Sequence, residues 1–315
     1  MADQNDQWER GVLEKLAMSA VQEQRRSRHW GIFFKTLTLA YLFLVLFIFM
    51  GWFDEKESAL STDKHTALVD LQGEIAAGNS ASADFIIPSL QDAFDDSRTQ
   101  GVILRINSPG GSPVQAGQIN DEVRRLRALH PDIPLYVVVE DICASGGYYV
   151  AVAGDKIFVD KASLIGSIGV LMDGFGFEGT MQKLGVERRL LTAGENKGFL
   201  DPFSPTDPKQ QAYAKQMLAE IHQQFIDVVR KGRGQRLKET PETFSGLVWN
   251  GQRGVELGLA DAYGSVESVA RDVIKAEHIV DFTMKEDFTE RLAKRFGAAT
   301  ASAFGFSTKE SWSLH

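Results

Sequence analysis

The chain has 315 residues, a formal net charge of −8, 43% hydrophobic and 24% charged residues. This is the balance of a globular protein with room for one large or two modest domains. Its acidic character disfavours nucleic acid as a partner, because phosphate binding requires clustered positive charge. The single cysteine excludes an intrachain disulfide, and the absence of CxxC and HExxH spacings argues against a metal site. We expect neither a metal nor an organic cofactor.

The first predicted element is a transmembrane helix over residues 30–53. Its core, TLTLAYLFLVLFIFMGWF, carries no charge and at about 1.5 Å per residue has the length of a bilayer's hydrocarbon core. Four basic residues lie within residues 25–35, directly before this core: Arg25, Arg26, Arg28 and Lys35. The positive-inside rule therefore predicts a single-pass protein with residues 1–29 in the cytoplasm and everything after about residue 54 outside it. We expect it in the inner membrane, with its catalytic domain in the periplasm. A cleaved signal peptide is the alternative, but the apolar run is long and starts late.

After a polar linker at residues 54–64, short β-rich runs alternate with helical stretches. The pattern predicts strands at 67–75, 101–106, 134–141 and 156–160, and helices at 117–130, 145–152 and 206–230. Alternation of strand and helix implies crossover connections and a mainly parallel sheet in an α/β domain. We assign this domain to residues 65–280 and expect residues 281–315 to form a C-terminal helix and tail.

Ser145, in the sequence CASGGYY, lies between a predicted strand and a predicted helix and is a candidate nucleophile. A serine hydroxyl needs a base to take its proton, and none of the six histidines lies nearby in the sequence. A lysine that burial keeps neutral can serve instead. Among the lysines that follow, Lys156, Lys161 and Lys183 are expected to be solvated. Lys197 lies in a long loop among apolar residues and is the better candidate, with a flexible surface lysine as the alternative.

Two glycine-rich loops offer donors for an oxyanion. The N–H of Gly146 is the first free donor at the start of the helix after Ser145. The loop RINSPGGSP follows an earlier strand, and such loops meet at the carboxyl edge of a parallel sheet, so Gly110 or Gly111 is expected to bring a second N–H. Tight turns alone also require glycine. Ser167, in SLIGSIGVLM, either orients the lysine or is a structural turn serine.

The ordered motifs SPGG, ASGGYY, GSIGV, GENK and VWNGQRGVELGLADAYGS resemble peptidase family S49, the signal peptide peptidase A group. The resemblance covers most of the predicted α/β domain and implies a ClpP/crotonase-like fold with a serine–lysine dyad. It makes Ser145 the nucleophile and Lys197 the general base, with Ser167 orienting the lysine. It assigns the oxyanion donors to Gly111 and Gly146.

The resemblance further implies a membrane-anchored serine endopeptidase that hydrolyses apolar peptides, such as remnant signal peptides, outside the cytoplasm. It also implies homo-oligomeric rings, and the sequence leaves open whether Ser145 and Lys197 of one site belong to one chain or to two. The expected partners are peptides, further copies of the chain, and the bilayer through residues 30–53. Two alternatives remain on the same fold: a crotonase-type acyl-CoA enzyme and a membrane scaffold without catalysis.

Overall fold

The computed structural model describes residues 18, 25–26, 28–47 and 63–285. The chain divides into two compact units, Met1–Ser61 and Thr62–His315. A helix and tail are predicted for residues 281–315. Of these, residues 286–315 lie outside the described residues.

The first unit contains the helix α1 (Arg28–Phe47), which is long and apolar enough to cross a bilayer. It has 20 residues, and the mean hydropathy of its most apolar window is 1.8. The predicted span of residues 30–53 is thus helical as far as residue 47, and residues 48–53 lie outside the described residues.

Within residues 63–285, the second unit is built on an eight-stranded sheet. In chain order the strands are β1 (His65–Gln72), β2 (Thr99–Ser108), β3 (Leu135–Ala144), β4 (Lys156–Val159), β5 (Leu164–Gly166), β6 (Val248–Asn250), β7 (Ala262–Tyr263) and β8 (Ile279–Asp281). Their spatial order is β6-β5-β3-β2-β1-β8, while β4 pairs with β3 and β7 with β4. All the described pairings are parallel except that of β5 with β6. The predicted α/β class with a mainly parallel sheet is confirmed.

Helices pack on both faces of this sheet. In chain order the helices of this unit are α2 (Ala83–Asp95), α3 (Pro113–Leu129), α4 (Gly146–Ala151), α5 (Glu178–Leu184), α6 (Pro208–Arg233), α7 (Gly251–Glu256) and α8 (Val266–Ser268), with a 3-10 turn at Gly234–Arg236 and a π-helical turn at Val269–Ile274. Helix α2 is absent from the elements predicted from the sequence, because Pro88 lies inside it and proline normally ends a helix. Helix α3 begins earlier than predicted because the side chain of Ser112 accepts from the N–H of Gln115 and caps it.

The central strands are buried on both faces, which explains their continuous apolar runs. On one face, Val102 and Leu104 of β2 are fully buried in the large core that the helices α2, α3, α4 and α6 share. On the other face, Ile103 of β2 and Val138 of β3 pack with Val269 of the π-helical turn in a second, smaller core. The centre of the sheet therefore lies between two packed layers.

A buried ion pair ties the end of α6 to the sheet. Arg233, whose side chain is 1% exposed, donates to both carboxylate oxygens of Asp261 at 2.8 and 3.0 Å. Asp261 also accepts from the N–H of Ile157 in β4 at 2.7 Å. Burial by itself would raise the pKa of Asp261, but the hydrogen bonds and charge of Arg233 hold it below its ordinary value. The pair fixes the position of α6, which lines the candidate site.

Candidate active site

Ser145 occupies the sharp turn between β3 and α4. Its backbone has φ 50° and ψ −122°, the dihedrals of the first central residue of a type II′ turn, which is usually glycine. Its neighbours are small by necessity, since a Cβ at Gly147 would lie 3.1 Å from the carbonyl oxygen of Ser108. A strained strand-to-helix turn that carries a serine is also the geometry of the nucleophile elbow in α/β-hydrolases.

The pairing of β3 brings Ser145 next to the segment that holds Ser167. The first half of β3 pairs with β4 and its second half with β5, where Ala144 lies opposite Gly166. The N–H of Ser145 donates to the carbonyl oxygen of Gly166 at 2.9 Å. Ser167 follows at once with φ 51°, a second non-glycine residue in the left-handed region, and its N–H donates to the carbonyl oxygen of Leu247 at 2.8 Å. The two serines therefore end adjacent strands.

The glycine-rich loop after β2 reaches the same point. Its backbone is held by the buried hydroxyl of Ser108, which accepts from the N–H of Gly110 at 3.1 Å. Gly110 has φ 105°, and a Cβ there would lie 2.7 Å from both the Cβ of Ser145 and the amide nitrogen of Gly146. The loop is glycine-rich because it touches the serine turn, and no larger residue fits that contact.

Two backbone N–H groups beside Ser145 have no acceptor among the described residues. They belong to Gly111 and Gly146, and a Cβ at Gly146 would lie 3.3 Å from the amide nitrogen of Gly111. A β-bridge between Gly111 and Ile75 fixes the loop but leaves the N–H of Gly111 unused. Buried N–H groups are normally paired, so two unused donors at one point indicate a place for an oxygen.

A cleft opens beside these groups. Its walls come from the SPGG loop and α3, from the serine turn and α4, from the segment after β5, and from the middle of α6. The lining residues are Gly111, Pro113, Ala116, Ser145, Gly146, Tyr149, Gly169, Val170, Ile221, Gln224 and Phe225. Among the larger lining side chains, those of Pro113, Ala116, Val170, Ile221 and Phe225 are apolar.

The contribution of α6 is absent from the sequence-based prediction of the site. The helical spacing of Ile221 and Phe225 predicts that both lie in the core. Phe225 is buried, and the centroid of its ring lies 5.1 Å from that of Tyr149. Both residues nevertheless line the cleft, together with Gln224. The local pattern of a helix cannot show which of its buried residues borders a cleft formed by loops far away in sequence.

Burial suppresses the ionisation of Tyr149, which lines the cleft, and of Cys143, which lies in the core beneath the serine turn. Cys143, two residues before Ser145, is buried, and burial raises the pKa of its thiol. Burial also raises the pKa of Tyr149, and the carboxylate of Asp121 adds to the effect. Because the thiolate is the nucleophilic form of cysteine, Cys143 does not compete with the serine beside it.

Lys197 is exposed in the single chain and is not among the described residues that line the cleft. It lies in the loop between α5 and α6, where its N–H donates to the carbonyl oxygen of Gly194 at 3.1 Å. The aromatic residues that follow it pack elsewhere, Phe199 against α6 and Phe203 against Phe177. The dry environment predicted for this lysine is therefore not provided by the described residues of its own chain. Lys156, Lys161 and Lys183 are also exposed, as predicted.

The segment between the cleft and Lys197 exposes large apolar side chains. Phe175, Leu184 and Leu191 are 80%, 73% and 96% exposed, and α5 buries none of its residues in the single chain. Exposed apolar side chains in such number are typical of an interaction surface. We refer to residues 175–191 as the apolar segment.

The chain is similar to several known proteins. Residues 127–280 match the sequence model described as peptidase family S49. A protein of Brucella melitensis named Na(+)/H(+) antiporter NhaA is 46% identical over 182 residues, which cover 58% of this chain and 25% of that protein. A protein of Enterococcus faecium provisionally named signal peptide peptidase SppA is 30% identical over 200 residues, which cover 64% of this chain and 58% of that protein.

A further relative is matched over more of its length. A protein of Methanocaldococcus jannaschii provisionally named as a protease is 30% identical over 210 residues, which cover 65% of this chain and 67% of that protein. The chain thus spans about a quarter of the antiporter and somewhat more than half of the two proteins named as peptidases.

Proposed function

The chain belongs to peptidase family S49, and from this premise we propose that it is a membrane-anchored serine endopeptidase acting on apolar peptides. The observation that carries the proposal is the strained turn at Ser145, with the unused N–H groups of Gly111 and Gly146 beside it. A structural turn serine requires neither feature. A hydroxyl and two donors around one cleft suit attack on a carbonyl group whose oxygen becomes an anion.

The reaction divides into acylation and deacylation. The Oγ of Ser145 attacks the peptide carbonyl carbon while the neutral amine of Lys197 takes its proton. The N–H groups of Gly111 and Gly146 hold the oxyanion until the C–N bond breaks, and the Lys197 ammonium protonates the leaving amine. Water then gives a proton to the same amine and attacks the ester carbonyl carbon. The ammonium returns a proton to the Oγ of Ser145 as the ester C–O bond breaks, which releases the carboxylic acid and regenerates both Ser145 and the neutral lysine. Ser167 orients the lysine by a hydrogen bond.

A second copy of the chain completes the site in this proposal. A lysine acts as a base near neutral pH only if its surroundings disfavour the ammonium form, and Lys197 is exposed in the single chain. The apolar segment lies between the cleft-lining residues 169–170 and Lys197 in sequence, and its side chains are exposed as well. Packing this segment against a neighbour would bury both the apolar surface and the lysine, which favours a homo-oligomer.

The expected substrates are apolar peptides that remain at a membrane, such as remnant signal peptides. The cleft beside Ser145 offers apolar contacts from Ala116, Tyr149 and Phe225. Helix α1 suits a single membrane anchor. By the positive-inside rule, the basic residues before it favour a cytoplasmic N-terminus and a catalytic domain on the periplasmic side of an inner membrane. The name of the Enterococcus relative is in accord with this substrate class.

Labelling with a small fluorophosphonate probe tests the serine–lysine dyad. We expect the purified full-length chain to be labelled at Ser145, and expect Ser145→Ala and Lys197→Ala to abolish both labelling and peptide hydrolysis. Lys161→Ala is the matched control, because that lysine is also exposed and lies outside the apolar segment; it should behave as the wild type. Full labelling of Lys197→Ala would end the dyad proposal.

A wild-type chain that takes no label would contradict the peptidase function. Binding of thioesters would then favour the acyl-CoA enzyme, and its absence would favour the non-catalytic scaffold.

Mixing two inactive variants tests whether chains share a site. If Lys197 of one chain serves Ser145 of its neighbour, co-assembly of Ser145→Ala with Lys197→Ala chains in equal amounts should restore about a quarter of the wild-type activity, because that fraction of sites pairs two intact residues at random. A dyad within one chain predicts that the mixture stays inactive.

A further inference from the structure

The segment after β5 forms one wall of the cleft and is held to the rest of the protein at few points. Within the described residues, the backbone from Ser167 to Gly176 is hydrogen-bonded to other elements twice. One bond runs from the N–H of Ser167 to the carbonyl oxygen of Leu247. The other involves the carbonyl oxygen of Ile168, which lies 3.1 Å from Nε2 of His222 on α6. Beyond this second bond come Gly169 and Val170, the two residues of the segment that line the cleft.

His222 lies on α6, which forms one wall of the cleft, and its side chain reaches the segment after β5, which forms another. Its neighbour Ile221 and, on the next turn, Gln224 and Phe225 line the cleft from the helix side. The imidazole reaches from this turn to the opposite segment, where it contacts a carbonyl oxygen and must therefore donate through Nε2–H. Ile168 itself is fully buried, so the bond fixes a well-packed residue directly before the wall. A side chain that joins both walls sets the distance between them.

We propose that His222 is a positioning residue that fixes the cleft wall at Gly169 and Val170 for an extended peptide. The inference rests on the proposed peptidase function. Both the Nε2–H tautomer and the imidazolium can donate to a carbonyl oxygen, so the role requires a donor and not a titrating group. His222 is not among the described residues that line the cleft with Ser145, Gly111 and Gly146. Its loss acts on the binding of long substrates and leaves the chemistry at Ser145 intact.

The test compares His222→Leu, which removes the donor, with His222→Gln, whose amide restores one at similar reach. For an internally quenched peptide of alanine and leucine, we expect His222→Leu to raise KM about three- to ten-fold, the effect of one lost hydrogen bond, with kcat changed less than about two-fold. His222→Gln should be close to the wild type. The rate of labelling by the small fluorophosphonate probe should be the same in all three, because the probe does not extend along the wall. Gln223→Leu, on the exposed side of the same helical turn, is the matched control and should leave KM unchanged.

Three results would overturn the proposal. A His222→Leu variant that hydrolyses the peptide as the wild type does would show that the bond has no role in binding. A parallel fall of labelling and kcat would show a general loss of structure, and a His222→Gln variant as poor as His222→Leu would show that ring packing matters and not the donor. If the wild-type chain takes no label at Ser145, the proposed function fails and this inference fails with it.

Discussion

Gly110 and Ser145 are in such close contact that a methyl group on the glycine would lie 2.7 Å from the Cβ of the serine. The two residues belong to loops that follow neighbouring parallel strands, β2 and β3. Their contact brings the N–H of Gly111 beside that of Gly146. The first prediction follows from this contact.

Gly110→Ala should inactivate the protein. The added Cβ would collide with the serine turn at a backbone φ of 105°, so the loop must move and the Gly111 donor with it. Loss of one oxyanion donor lowers turnover by about 10²–10³-fold, and overpacking costs about 1–3 kcal/mol of unfolding free energy. The measurements are the labelling rate and thermal unfolding.

Gly117→Ala in α3 is the control, because nothing lies within 4 Å of its Cβ position. It should keep activity and gain up to about 1 kcal/mol of unfolding free energy. Wild-type activity in Gly110→Ala would show that the loop is not held against Ser145.

Replacing Ser145 by glycine should stabilise the fold relative to alanine, although both variants are inactive. A non-glycine residue in such a backbone conformation costs about 1–3 kcal/mol, and alanine retains this strain while glycine relieves it. After the entropic penalty of glycine, about 0.5–1 kcal/mol, we expect Ser145→Gly to exceed Ser145→Ala by about 1 kcal/mol. The difference should appear as a higher Tm in thermal unfolding. A lower Tm for the glycine variant would mean that the turn is relaxed.

Cys143 should be inert in the native protein. Burial raises the pKa of its thiol, so the thiolate that alkylating reagents require is not formed near neutral pH. We expect iodoacetamide to leave native Cys143 unmodified and fluorophosphonate labelling unchanged, and to modify the same residue after denaturation. Modification of the native protein with loss of activity would make this cysteine a rival nucleophile.

Asp261→Asn should destabilise the domain in a pH-dependent way. The carboxylate is held below its ordinary pKa of 3.8 by Arg233, so its stabilising contribution is complete above that value and is lost as the pH falls through and below it. Removal of one partner of a buried pair lowers the free energy of unfolding by about 3–5 kcal/mol. In denaturant titrations, the difference in unfolding free energy between the variant and the wild type should narrow below about pH 4. Asp272→Asn is the control, because its pair with Arg271 is exposed; it should change stability by less than about 0.5 kcal/mol. A gap that stays constant at low pH would contradict the assignment.

Much of the fold and part of the candidate site follow from the sequence. Strand and helix alternation predicts the parallel sheet, because buried β-branched runs and amphipathic stretches carry periods that can be read locally. The motif ASGGYY predicts the serine turn, and SPGG predicts a loop at the same sheet edge. Helix α2 is not predicted from the sequence, because it contains Pro88 and proline normally ends a helix. Nor does the sequence predict that Ile221 of α6 lines the cleft.

The sequence by itself determined which residue types stand at the ends of the strands: a serine followed by glycines, and an earlier loop with two glycines. Only the tertiary structure decided that these loops touch, that Ser145 adopts a strained backbone, and that α6 forms the far side of the cleft. It also decided that Lys197 lies exposed when one chain is considered alone. The physical reason is that local propensities involve only neighbouring residues. Strain and burial at a position are fixed by the summed packing of segments that lie far apart in the chain.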